Sequence, residues 1–244
     1  MKWKLLFFTS LVPVVERFVR EKSHCYGIDV SHNIHHSWRV VELASLIATR
    51  EYHLNNAQQE VLYLSSMLHD MCDPKYTPWA QAVLDVSNFL QKKCYTSMMV
   101  HDGVMNIITS MSYSQVVQPN GSLRFPPWLL KERNFKEVYH TVREADLLTS
   151  YDLKRMVHYK HDKLGLLYST DIYQDIVDTV NTRMCRLLDK KDMFVSLTAK
   201  KIAMVWHTEL CHDIMPSLTP DDIYPILQQP VETMEQFRQK LKIF

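Results

Sequence analysis

Apolar positions recur every three to four residues along most of the chain, the period of a helix with one buried face. In "IHHSWRVVELASLIATRE" the stripe runs His36, Val40, Leu43, Ile47, which predicts a helix over 34–52. Asn56 followed by Gln59 reads as an amide capping box opening the next helix, which continues into His69 and ends before Pro74. Thr77-Pro78 marks another start, with proline at the first helical position. Further helices are expected over 95–111, 134–150, 169–189, 193–212 and 230–241. No run alternates with period two, so no strand is predicted. The segment 112–133, "SYSQVVQPNGSLRFPPWLLKER", breaks the helical period with Pro119-Asn120-Gly121 and Pro126-Pro127. It reads as a long loop, either a lid over a binding site or a plain surface connection. The expectation is an all-α architecture forming one domain over 1–244.

Composition supports the helices. Only 4 of 244 residues are glycine while 46% are hydrophobic, which disfavours a turn-rich β fold and allows a large core. Charges nearly cancel at +1, arguing against a broad electrostatic grip on nucleic acid while leaving room for a local basic pocket. The 5 cysteines, Cys25, Cys72, Cys94, Cys185 and Cys211, are scattered with no CxxC pair, and read as reduced thiols of a cytoplasmic protein. The opening "MKWKLLFFTSLVPVVERFVREK" has a signal-like basic start and apolar run. It lacks a small-x-small cleavage site, is too short to span a bilayer and continues in helical period, so a packed first helix is expected and no membrane partner.

Four His-Asp pairs carry the candidate chemistry: His69-Asp70, His101-Asp102, His161-Asp162 and His212-Asp213. A metal site needs ligands that converge, so each pair is weighed with its surroundings. Asp146 shares the apolar stripe of Phe135, Val138, Tyr139, Val142, Ala145 and Thr149. A carboxylate there is costly unless it binds a metal, pairs with an arginine or caps a backbone. His36 on its own stripe is a metal ligand or a hydrogen-bonded core histidine. Near His69-Asp70, the small Ser65 and Ser66 leave room for a ligand or a partner helix, and Asp73 lies four residues beyond His69. His101 reads as a core histidine or an accessory ligand. The polar run around His161 reads as solvated surface, and His212 sits favourably at a helix C-terminus without any function.

The ordered set His36, His69-Asp70 and Asp146 resembles the H…HD…D signature of the HD-domain superfamily of metal-dependent phosphohydrolases. "SHNIHHSWRVVELASLIA" is similar to that family's "SHDxxHxxRVxxxAxxIA" opening. "LSSMLHDMCDPKY" is similar to "AALLHDxxDxKY" of the branch holding small bacterial and fungal nucleotide diphosphatases, and "VREADLLTSYD" resembles "VxDADRLDAIG". The resemblance implies a helical HD core over about 20–165 with a C-terminal helical extension over 166–244. It implies His36, His69, Asp70 and Asp146 as ligands of a divalent ion: Mn²⁺, Fe²⁺, Co²⁺, Ni²⁺ or Zn²⁺ by the mixed nitrogen and oxygen donors, with Mg²⁺ less suited to imidazole. The activity implied is hydrolysis of a phosphoester or phosphoanhydride bond in a small phosphorylated molecule, a nucleotide being the best fit, by a metal-activated water.

Asp73 would then orient or deprotonate that water, or else serve only as a turn former before Pro74. Lys75 and Arg39 would supply charge to the phosphate, Arg39 alternatively bracing a ligand from behind. His32, His101, Lys154 and Arg155 are weaker substrate-binding candidates. Leu147, Thr149 and Met111 stand where the branch carries Arg, Asp and His. These departures motivate a second reading, a non-catalytic nucleotide-binding or interaction module that keeps the metal.

Overall fold

The computed structural model describes residues 10–244 except 76, 119, 132, 164, 185, 186, 191, 230 and 231. Most of the opening apolar run, residues 1–9, and with it the start of the packed first helix expected there, lies outside the described residues. The helix beyond it, α1 (Val12–Tyr26), opens on a proline and stops where Gly27 turns left-handed at φ 66°. Next come α2 (Ile34–Glu51), α3 (Asn56–Leu68), α4 (Trp79–Lys92), α5 (Met98–Ile108), and the single turns α6 (Tyr113–Val116) and α7 (Trp128–Lys131). They are followed by α8 (Lys136–Thr149), α9 (Leu153–His158), α10 (Ser169–Thr182), α11 (Leu197–Thr208), α12 (Ile223–Gln228) and α13 (Met234–Leu241). The one β feature among the described residues is an isolated bridge between Val117 and Leu123, inside the predicted loop.

Six of these helices start on a side-chain cap. The Asn33 side chain accepts from the backbone N–H groups of His35 and His36, which fixes where α2 begins. The capping box of α3 falls one residue earlier than expected, on Asn55 and Gln58. Gln59 instead reaches back to the Leu54 carbonyl. Pro78 caps α4 rather than forming its first residue. In the second half the bounds moved further: α10 stops at Thr182, α11 starts at Leu197 and α13 at Met234. The six-residue helices α9 and α12 are too short to show a stripe, so periodicity missed them.

Helices α2, α3 and α8 pack on one another at the centre, with α5 against α3 and both α11 and α13 against α2. Val40, Leu43 and Ile47 of α2, Leu64 and Met67 of α3, and Val138, Val142 and Ala145 of α8 have no exposed surface. Each aliphatic side chain buried in this way contributes about 1.5–3 kcal/mol. Two charged residues of α8 are buried with them and bind the C-terminal half. The Glu144 carboxylate accepts from the Val195 N–H at 2.5 Å and the Ser196 hydroxyl at 2.7 Å, and Arg143 donates to the Met193 carbonyl at 2.7 Å. The two charges also pair with each other at 3.7 Å, and the backbone contacts satisfy the hydrogen-bonding groups that this pair leaves over. Among the described residues no helix is long and apolar enough to cross a membrane.

His140 gives this core a pH dependence. Its ring is buried edge-on to Phe125 and Tyr139, and Nδ1 has no hydrogen-bond partner. Burial, then the charges of Arg143 and Lys136, push its pKa down to about 3. Below pH 6.5 the unfolded chain takes up a proton that the native chain refuses, so stability falls as the pH drops. This group accounts for about 2 kcal/mol of the loss between pH 7 and pH 5. Chemical denaturation of His140→Phe at both pH values should show a pH-dependent loss smaller by that amount; an unchanged loss would exclude His140 as its source.

Candidate metal centre

Three central helices each deliver part of one cluster. His36 sits in the first turn of α2, where the Asn33 cap sets its direction. Asp146 comes from the last turn of α8. After Leu68 the chain tightens into a 3-10 turn, His69–Cys72, so His69 and Asp70 leave the end of α3 on a narrower spiral than an α-helix would give.

Their donor atoms converge. His36 Nε2 and His69 Nε2 are 2.9 Å apart. Asp70 Oδ2 lies 3.3 Å from the first and 3.1 Å from the second, and Asp146 Oδ1 lies 3.3 Å and 3.6 Å from the same two atoms. Donors about 2.1 Å from a shared ion are spaced about 3.0–3.4 Å apart along an octahedral or tetrahedral edge. The cluster has that spacing. His69 Nδ1 faces the Ser66 carbonyl at 2.9 Å, so Nδ1 carries the proton and Nε2 keeps a lone pair for a metal. Asp70 Oδ2 is buried and makes no hydrogen bond. It faces the two imidazoles, and a buried carboxylate oxygen there is offset by a protonated imidazole or by a bound cation. The residues therefore fit a divalent ion.

The charges respond to one another accordingly. Burial works against ionised His69, but Asp70 and Asp146 prevail and hold its pKa well above the ordinary value. Burial likewise opposes the charge on both carboxylates, and the facing histidines hold each well below the usual range. Among the described residues no other three His, Cys, Asp or Glu groups converge in this way. His101 bonds to Ser87 and Asp102, and His161 to Asp162, so neither pair joins a metal cluster.

His69, Asp70 and Asp146 line an open cavity of about 150 Å³, with His36 behind them. Of the other predicted residues, His32, Asp73, Lys75 and Arg155 share that lining. Burial first, then the Asp70 and Asp146 charges, raise the Asp73 pKa, while Lys75 opposes them. Arg155 donates to the Ser31 carbonyl and to Thr149 Oγ1, both at 2.9 Å, and reaches within 3.3 Å of His36 Nε2. His32 is held by Ser31 and Asp29, and burial, then the Arg155 charge, depress its pKa. Arg39 does not line the cavity. Its guanidinium pairs with Asp152 and Glu232 and packs over Phe237, so the charge expected at a phosphate is committed elsewhere. Lys154 points to the Gln229 carbonyl, and His101, on α5, bonds to Ser87 and Asp102 and is not part of the lining. Sequence reasoning missed Tyr113, Tyr159, Lys160, Thr179 and Arg183 as cavity walls. They lie in the irregular 112–133 segment, in the wide π turn after α9, and in or just after α10, where no motif marks them.

Together these features define an all-α helical bundle with additional C-terminal helices, built around a candidate metal centre. Among solved structures, Bacillus subtilis YpgQ, determined in complex with ADP, shares the fold at TM-score 0.58 and 22% identity, over 88% of this chain and 98% of that one. No family model matches the chain, and no curated protein matches it.

Calorimetric titration with Mn²⁺ should give one ion per chain. Replacing His69 or Asp70 by alanine should weaken binding by more than about tenfold, the loss expected on breaking a ligand shell. Asp102→Ala, from a pair outside the cluster, should bind as the unaltered chain does. Equal affinity in all four proteins would remove the site.

Proposed function

We propose that the chain is a metal-dependent phosphohydrolase of the HD superfamily, of the small nucleotide diphosphatase-like branch. Its substrate is a small phosphorylated molecule, a nucleotide cleaved at a phosphoester or phosphoanhydride bond. The observation that carries this reading is the convergence of His36, His69 and Asp146 at a spacing that suits a cation, with Asp70 against both histidines, beside a cavity that also presents Lys75 and Arg155. The fold shared with YpgQ supports it, and the ADP bound to that protein favours a nucleotide here.

A bound divalent ion would supply Lewis acidity toward a phosphate oxygen and lower the pKa of water in the site. The chain's own groups do the rest. Arg155, held by the Ser31 carbonyl and Thr149 Oγ1, presents a fixed guanidinium to a phosphate oxygen. Lys75, with 43% of its side chain exposed, meets the phosphate chain at the mouth. Asp73, more basic than an ordinary carboxylate, takes the proton from the attacking water. Thr149, where the related branch carries an aspartate, donates to the Asp146 carbonyl at 2.6 Å and accepts from Arg155. With Leu147 buried beside it, this helix end offers no further carboxylate, and the reading is of one ion.

The test is release of phosphate or pyrophosphate from a nucleotide panel with Mn²⁺. Asp73→Asn should lower kcat by about 10²–10⁴-fold with little change in KM, and Asp70→Ala should abolish turnover. Full activity in Asp70→Ala would refute the assignment. Nucleotide-dependent thermal stabilisation with no turnover anywhere on the panel would establish the binding-module reading instead.

A further inference from the structure

A second cavity, of about 200 Å³, borders the short link 150–152 that joins α8 to α9, and Thr149 at the start of that link lines both cavities. Leu148 and Leu153 face it from the two ends of the link, and Leu210 and Ile214 from the wide π turn after α11. The rings of Trp206 on α11 and Phe237 on α13, 6.4 Å apart, close it from the C-terminal side. Among the described residues of its wall, Arg39, Lys154 and Lys240 are balanced by Asp152, Glu209 and Glu232. Arg39 pairs with Asp152 and, at 3.3 Å, with Glu232, and Lys240 meets Glu232 at 2.9 Å. The wall therefore carries no net charge to draw in a phosphate or an ammonium group. A cavity of about 150 Å³ lined by aliphatic and aromatic side chains takes up benzene. This one is larger, and its rings give a flat ligand surfaces to stack on or meet edge-on. It fits an uncharged molecule of one or two rings.

The link connects such a ligand to the metal centre. Thr149 donates to the Asp146 carbonyl at 2.6 Å and accepts from Arg155 at 2.9 Å. Asp152 pairs with Arg39 and accepts the Arg155 backbone N–H at 3.2 Å. The groups that set the end of α8 behind Asp146, and the aim of Arg155, thus form one wall of the second cavity. A ring packed on Leu148 and Leu153 restrains both ends of the link, and with them the guanidinium that faces the first cavity.

We propose that the second cavity is an effector site for a small uncharged ring compound, whose binding tightens the hold of the metal centre on phosphate groups through Thr149 and Asp152. The coupling rests on the phosphate-binding reading above; occupancy of the cavity does not. It gives the helices after α9, which carry no sequence motif, a regulatory role.

The experiment is calorimetric titration of indole and of inorganic pyrophosphate into the Mn²⁺-loaded full chain. Indole should bind at one saturable site and tighten pyrophosphate binding about fivefold, the lower end of ordinary allosteric coupling; by reciprocity pyrophosphate should tighten indole by the same factor. Ile214→Trp, which fills the cavity, should lose indole binding and its effect on pyrophosphate. Lys240→Trp places a ring at the rim, on a side chain 60% exposed and so without risk to the core, and should lose both as well. Mn²⁺ binding kept by each variant marks an intact fold. Indole bound undiminished by both variants places it elsewhere and overturns the proposal. Tryptamine and indole-3-acetate carry the same ring with opposite charges, and tighter binding of either than of indole overturns the uncharged class. No indole binding by the unaltered chain, or indole binding that leaves pyrophosphate affinity unchanged or weaker, overturns the effector site while the pyrophosphate titration still supports the metal centre. Saturable indole binding with no pyrophosphate binding overturns the effector role and the phosphohydrolase reading together.

Discussion

Two imidazole nitrogens 2.9 Å apart, with two carboxylate oxygens against them, form an arrangement that a protein interior resists. Burial raises the cost of each negative charge, and the carboxylates answer by holding a proton on His69. Only positive charge at their centre makes the group stable. The rest of the fold is arranged to keep it together: α2, α3 and α8 are the central layer, and each brings its donor from the end that meets the others. The hydrophobic stripes of these helices do more than fill the core. They fix the rotation and height of each helix, and so the aim of His36, His69, Asp70 and Asp146.

Around the cluster lies a shell whose parts depend on one another. Arg39 pairs with Asp152, and Asp152 caps α9 by accepting the Arg155 N–H. Arg155 then reaches across to Thr149, Ser31 and His36. The residue expected to contact phosphate thus acts at a distance, by anchoring the helix that carries the residue which does line the cavity. The C-terminal helices enter the same assembly. Glu144 and Arg143 hold the start of α11 against α8, and α10 supplies one wall of the cavity.

The convergence of His36, His69 and Asp146 was anticipated in the sequence because metal chemistry restricts residue type and helical period restricts position. His36 and Asp146 each interrupt an apolar stripe, and an interruption of that kind requires a partner. Separating His69-Asp70 from three similar pairs needed the flanking motif; local polarity alone left His101 open, and the structure ties it to Ser87. Arg39 was misdirected because one helical turn on α2 says nothing of Asp152, 113 residues away, or of Glu232. The distal cavity wall was invisible for the same reason. Tyr113 and Arg183 meet only through tertiary packing, one from the irregular 112–133 segment and the other from the end of a helix that carries no motif.

The central claim is that one cation occupies the point between these four side chains. The most direct measurement is an anomalous difference map from crystals of the full chain soaked in Mn²⁺. The account predicts a single strong peak within about 2.0–2.3 Å of His36 Nε2, His69 Nε2, Asp70 Oδ2 and Asp146 Oδ1. A map with no peak there, or with manganese bound at another of the His-Asp pairs, would contradict it.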